Sequence, residues 1–160
     1  MHRVIILCFP LIFLFVVDSF SIEKKITGVC SEVVDGDTIK VDGQVIRLAG
    51  IDAPELSQKS LDGFQIGEMS KRYLMERIVH KKVTVLYRKR GKYGRILGWV
   101  YFLGHNINEE MVRKGMALSY QIETSHSIRA LEMISRFRRK GIFGTDGFMY
   151  PYYYRKESRK

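Results

Sequence analysis

Cysteine is scarce: the 160 residues hold two, Cys8 and Cys30. Cys8 lies inside an apolar leader, so a trimmed chain keeps Cys30 alone, and a single thiol closes no internal disulfide. A disulfide scaffold is excluded, and stability has to come from a packed core. Cys30 itself stands in an apolar-rich stretch and reads as a small buried hydrophobe. A hydrophobic run of membrane-spanning length is also missing: the longest, residues 4–17, has 14 residues, whereas crossing hydrocarbon takes about 20. The four histidines show no metal-ligand spacing, so His80, His105 and His126 read as surface residues or caps and not as zinc ligands. Internal repeats and low-complexity linkers are absent, which leaves one unit of about one domain's length. Acidic residues are the minority charge. Against 27 Lys+Arg there are 17 Asp+Glu, a net +10, and polyanions head the partners that such an excess attracts.

What is present begins with the leader. Met1, His2 and Arg3 make a short basic start, residues 4–17 are apolar, and Ser19 and Ser21 sit at −3 and −1 of a cut before Ile22. That is the layout of a signal peptide. The expectation is a signal peptide over residues 1–21 and one folded domain over 22–160, exported to the medium or the periplasm. An uncleaved membrane anchor is the alternative. Cys8, inside the run, makes a poor lipoprotein acceptor. Removing the leader takes away Arg3 and Asp18, so the charge excess belongs to the mature domain.

The first half of that domain reads as strands. Residues 26–34 are rich in β-branched side chains and end at Asp35-Gly36-Asp37, a turn signal. Residues 38–41 alternate, Asp42-Gly43 makes a hairpin turn, and residues 44–48 continue the pattern. Residues 49–55 leave that strand in a proline-bound loop. Over 65–79 the period changes: Ile66, Met69, Tyr73 and Leu74 fall on one face of a helix, opened at Asp62 or Gly63. Strands follow at 82–87 and 96–102, separated by a basic stretch. A short helix is expected from Asn108, as its cap, to Gly115. A last helix is expected over 127–140, with Ile128, Leu131 and Ile134 on one face and Gly141 as the stop. Five short strands with a helix after the third predict a mainly β chain with α, an α+β fold built on a five-stranded OB-type β-barrel with three helices, since closure hides strand edges. Barrel and helices would occupy about 26–143, and 144–160 would form a basic aromatic tail.

Four acidic residues gather at strand exits: Asp35 and Asp37 in one turn, Asp52 and Glu55 in another. Hard divalent cations take oxygen ligands, and two carboxylates with carbonyls and water make a calcium-type shell. Either motif alone is equally an ordinary turn. Arg47, before the second acidic loop, and Arg95, after a tight Tyr-Gly turn, change that balance, because guanidinium forks match phosphate oxygens. A cation, arginines and a carboxylate that handles water are the parts that phosphodiester hydrolysis needs.

The blocks Val34-Asp35-Gly36-Asp37-Thr38-Ile39, Arg47-Leu48-Ala49-Gly50-Ile51-Asp52-Ala53-Pro54-Glu55 and Lys92-Tyr93-Gly94-Arg95, in this order and at these separations, resemble the staphylococcal nuclease family. Residues 108–117 resemble the family's second-helix segment, and the tail around 138–143 and 151–155 is similar to an ending of its bacterial members. The resemblance covers about 26–155. It implies the family's barrel with three helices, and a Ca²⁺ ion held by the carboxylates of Asp37 and Asp52 and by the carbonyl of Ala53, where the family often has threonine. Asp35 would stand behind these ligands. Glu55 would act on the attacking water, as general base or by positioning it. Arg47 and Arg95 would bind the scissile phosphate. Lys92 and Tyr93 would lie beside the nucleotide, and Tyr120 would be the remaining stacking face. The loop 56–64 is short and poor in lysine, so substrate contacts there would differ from the family's.

The resemblance implies a sugar-nonspecific endonuclease that cleaves DNA and RNA with the 5′ oxygen leaving. A non-catalytic nucleic-acid-binding module of OB type is the alternative; it would be announced by a lost ligand or arginine, and Asp37, Arg47, Asp52, Glu55 and Arg95 are all present. A third reading gives the tail, 150–160, an anionic lipid or wall polymer to hold, against packing back on the barrel and ending in solvated charge. No feature names an obligate protein partner, and a monomer is expected.

Overall fold

The computed structural model describes residues 23–91, 94–120 and 125–159; the expected signal peptide lies outside them. Strand β1 (Lys24–Asp35) turns through Gly36 into β2 (Thr38–Val41), which runs antiparallel to it. The Asp42-Gly43 corner, with φ of 45° and 77°, has the left-handed pair of a two-residue hairpin and returns the chain as β3 (Gln44–Leu48). After the short β4 (Ile51–Asp52) and helix α1 (Ile66–Ile78), β5 (Lys82–Arg90) pairs antiparallel with β1 and with β6 (Ile96–Phe102). A parallel pairing of β3 with β6 closes the ring β3-β2-β1-β5-β6. The five strands read from periodicity are therefore the five staves of the barrel, closed with no free edge between them. The two-residue β7 (His105–Asn106) folds back antiparallel on the end of β6, and β8 (Leu118–Ser119) pairs with β4.

Helices α2 (Ile107–Arg113) and α3 (His126–Phe137) follow, and α4 (Pro151–Glu157) is the fourth α-helix among the described residues. Three helices were expected; the tail supplies the fourth, with Pro151 at its first turn, where a missing N–H costs nothing. The tail packs back on the domain. Phe148 joins a small core with Ile66, Leu118 and Ile142, and the Arg136 guanidinium lies 4.5 Å from the Phe143 ring centre and 5.1 Å from that of Tyr150.

Inside the barrel, Cys30, Ile39, Ile46, Leu48, Val85 and Ile96 are fully buried, and Leu74 and Ile78 of α1 cap one end of that core. Helix α1 spans Ile66–Ile78, within a residue of the expected 65–79 at each end, but it begins with no side-chain cap, beyond the expected opening at Asp62 or Gly63. The face of α3 is narrower than its sequence suggested: Ile128 is buried, but Ile134 is 47% exposed. Ser135 takes the inner position and donates to the Val112 carbonyl at 2.7 Å.

Asn108 corrects a second expectation. The cap of α2 is Asn106, whose Oδ1 accepts from the Glu109 amide at 3.2 Å. Asn108 is wholly buried. Its Nδ2 donates to the carbonyls of Ala49 (2.9 Å) and Gly98 (3.1 Å), and its Oδ1 accepts from the Val100 amide at 2.9 Å. The side chain thus stitches the seam where β3 and β6 close the barrel, beside the strand exit that carries the second acidic loop. An Asn108→Ala variant is expected to lose about 2–4 kcal/mol, since each orphaned buried amide or carbonyl costs about 1–3 kcal/mol. Urea unfolding followed by Trp99 fluorescence reads it directly; a loss below about 1 kcal/mol would deny the stitch.

Candidate active site

Two bends separated along the chain meet at one end of the barrel. The first is Asp35-Gly36-Asp37, where the Asp37 amide donates to Asp35 Oδ1 at 3.0 Å and sets the turn. Gly36 has to be glycine here because of a close approach: a Cβ at that position would lie 2.1 Å from Ser70 Oγ and 2.6 Å from the Ala53 side chain. The second bend is Asp52-Ala53-Pro54-Glu55. Its far side is tucked under the start of α1, where a Cβ on Gly67 would stand 1.8 Å from the Glu55 carbonyl oxygen. The two bends join directly, the Ala53 amide donating to Asp37 Oδ2 at 2.8 Å.

Asp37 and Asp52 are 3% and 6% exposed. One guanidinium holds both: Arg47 donates from Nη1 to Asp37 Oδ1 and from Nη2 to Asp52 Oδ1, the latter at 2.9 Å. Thr38 Oγ1 adds a bond to Asp37 Oδ1 at 3.2 Å. Burial pushes the Asp37 carboxyl above its ordinary range; Arg47 opposes that shift, and the charges of Asp35 and Asp52 add to it. The centre is therefore a buried acidic pair bridged by one guanidinium.

A cavity of about 730 Å³ opens beside this pair; Arg47 lines it, whereas Asp37 and Asp52 lie behind the lining. Asp35, Arg47, Glu55, Arg95 and Tyr120, all singled out in the sequence, line it. Glu55 keeps 41% of its side chain exposed and so meets solvent at the rim. The Arg95 carbonyl accepts from the Gly91 amide at 2.7 Å. Tyr120, 40% exposed, is held at its backbone by the Gly50 carbonyl at 2.9 Å. Lys92 and Tyr93 lie outside the described residues. His80, His105 and His126 are exposed on other parts of the surface.

Arg155, on α4, was missed by sequence reasoning. Its Nη1 donates to Glu55 Oε1 at 2.8 Å and to Asp52 Oδ1 at 3.2 Å, and its Nη2 donates to Asp52 Oδ2 at 2.9 Å. The approach is built: the Gln58 side chain donates to the Met149 carbonyl at 2.6 Å, and Ser57 Oγ and Tyr154 Oη are 3.0 Å apart. Pro151 could have pointed to a helix, but nothing near position 155 pointed to a carboxylate.

The centre suits a hard cation. Its donors are carboxylate oxygens, and a positive group, the Arg155 guanidinium, already spans Asp52 and Glu55. Among the described residues no group of three or more His, Cys, Asp and Glu side chains is placed to hold a metal ion by itself. With two carboxylates supplied by protein, the rest of a cation's shell would fall to backbone oxygen, water and substrate.

The profile of the family described as "Staphylococcal nuclease homologue" matches residues 45–144. An uncharacterised endonuclease of Escherichia coli is 38% identical over 136 residues, covering 81% of this chain and 85% of its own. A second, of Haemophilus influenzae, is 35% identical over 142 residues, 86% of this chain and 76% of its own. A micrococcal nuclease of Shigella flexneri is 32% identical over 148 residues, with 82% of each chain covered. Closed barrel, meeting acidic bends and matched sequence agree: the chain belongs to the staphylococcal nuclease homologue family.

Proposed function

We propose that the chain is a nuclease that hydrolyses phosphodiester bonds in DNA and RNA with Ca²⁺ as cofactor. The observation that carries this reading is that Arg47, which bonds both Asp37 and Asp52, lines one cavity together with Glu55 and Arg95. Similarity to proteins named endonuclease and micrococcal nuclease supports it. Asp37, Asp52 and the Ala53 carbonyl would hold the ion, and Asp35, which orders the Asp37 turn, would support them. Calcium, when bound, supplies Lewis-acid stabilisation of the charge that builds on the phosphate oxygens.

The chain's own residues carry the remaining work. Glu55, exposed at the rim beside the buried pair, accepts the proton of the attacking water or aims that water at phosphorus. Arg95 and Arg47 donate to the non-bridging oxygens, whose charge grows as the water adds and the 5′ oxygen leaves. Tyr120 offers one aromatic face on which a base can stack, and Lys92 and Tyr93 would lie beside the nucleotide, as the family resemblance implies. Contacts to phosphate and to a stacked base carry no sequence code, so discrimination between DNA and RNA and among sequences is weak. The leader over residues 1–21 exports the enzyme, which works on nucleic acid outside the cytoplasm.

Supercoiled plasmid and a folded RNA, each incubated with Ca²⁺ and separately with excess chelator, test the reading. Both substrates are cut in calcium, and chelator stops the cutting. Undiminished cleavage in chelator would reject the metal mechanism. A gel shift without cleavage in calcium would leave only a binding module.

A further inference from the structure

We propose that Arg155 sets the calcium affinity of the site by competing with the ion for Asp52, so that the C-terminal helix holds the site's positive charge until metal replaces it. This rests on the calcium reading above. Both oxygens of Asp52 are engaged: Oδ1 accepts from Arg47 and Arg155, and Oδ2 from Arg155 at 2.9 Å. An ion that takes Asp52 as a ligand meets a guanidinium already seated on it. Both are hard-oxygen seekers of the same sign, and in a partly buried site two such cations repel strongly. One has to leave.

The geometry makes Arg155 the one that can move. Arg47 springs from a barrel strand and is tied to Asp37 as well as Asp52. Arg155 belongs to a seven-residue terminal helix, beyond residues 45–144 that match the family profile. Its other tie is to Glu55, whose side chain is 41% exposed. Once released, the guanidinium stays in the cavity it lines with Arg159 and Arg95, where the polyanionic substrate sits. Competition of this kind places a threshold on calcium: the apparent affinity is the intrinsic one reduced by the fraction of molecules in which Arg155 covers Asp52.

Calorimetric titration of Ca²⁺ into the purified protein, R155Q and R159Q tests this without reference to activity. Arg159 lines the same cavity, so R159Q removes an equal charge without removing the bonds to Asp52. R155Q is expected to bind calcium at least about tenfold more tightly than wild type, the equivalent of one or more charge-assisted hydrogen bonds no longer opposing the ion. R159Q is expected to change affinity by less than about threefold, as a screened surface charge does. In wild type, amide hydrogen exchange over 151–157 is expected to speed up on saturation with calcium, a readout that depends on no variant folding. Equal affinities for wild type and R155Q, or equal gains in R155Q and R159Q, or exchange over 151–157 unmoved by calcium, would overturn the competition while leaving calcium binding in place. No calcium heat in any of the three proteins would overturn both readings.

Discussion

Glu55→Gln lowers the rate of phosphodiester cleavage by about 10²–10⁴-fold, the size of effect that a positioned proton acceptor contributes, and leaves the melting temperature within about 2 °C of wild type. The two halves of this expectation have separate causes. Glutamine matches glutamate in size and still accepts from Arg155 through its Oε1, but it cannot take a proton from water at neutral pH. The fold does not depend on the carboxylate, because the loop is held through its backbone. The Glu55 amide donates to Gln58 Oε1 at 3.3 Å, the Gln58 amide donates to the Glu55 carbonyl at 2.8 Å, and α1 is packed on that same carbonyl. Gln58 itself is fully buried, so the loop's shape is set from beneath. Single-turnover cleavage of a labelled oligonucleotide with saturating Ca²⁺ separates chemistry from binding. A Glu55→Gln protein within a factor of about ten of wild type would remove Glu55 from the proton path. Glu55→Asp keeps the carboxylate one methylene short of the rim, and recovers only part of the loss if aim matters as well as charge.

The barrel and the acidic bends were legible in the sequence because their signals are local. Asp42-Gly43 between alternating strands announces a hairpin, and the structure returns positive φ at both residues. Asp35-Gly36-Asp37 and Asp52-Ala53-Pro54-Glu55 each declare a turn through chemistry confined to four residues or fewer. That these turns meet was carried by the family resemblance and not by any spacing. The polar groups that join elements were less visible. Asn108 read as a cap because asparagine beside an amphipathic run is commonly one; two residues earlier Asn106 fills that role, and Asn108 is drawn inward by three backbone groups at the barrel seam. Nothing in a helical period distinguishes the two.

Arg155 is the extreme case. It lies 103 residues from Asp52 in a segment whose Tyr152-Tyr153-Tyr154 and basic residues read as a solvated tail. Its destination depends on contacts no local pattern encodes: Phe148 in a core with Ile66, Tyr150 beside Arg136, and Met149 accepting from Gln58. Once those anchor the tail, the position of Arg155 in α4 brings its side chain over the acidic pair. The expectation that the tail packs back on the domain was right, and the expectation that its charge is only solvated was too simple.

Arg47→Ala is expected to cost stability as well as rate, in contrast to Glu55→Gln. Arg47 is the bond between the two bends. Without it Asp37 is a carboxylate only 3% exposed, left with a hydroxyl and one amide as partners and with Asp35 and Asp52 close enough to raise its pKa. Breaking a buried pair by deleting one partner costs about 3–5 kcal/mol, because the remaining charge keeps its desolvation and loses its compensation. For a domain of this size that is a fall in melting temperature of about 10 °C or more in calcium-free buffer. Calcium is then expected to return part of the loss, since a cation on Asp37 and Asp52 supplies the charge that the guanidinium no longer gives, and the recovery grows with its concentration. Activity does not return with it: the fork that met the phosphate is gone, a loss of about 10²–10³-fold for one well-placed donor. Arg47→Lys discriminates further, because a lysine ammonium keeps the charge but cannot span two carboxylates with a planar fork, so its melting point should fall between the other two. Scanning calorimetry of the three proteins with chelator and across a calcium series provides the check. An Arg47→Ala protein that melts with wild type in chelator would mean the bends are held together without Arg47, and a destabilised one that calcium fails to recover would mean that the pair is not where the ion binds.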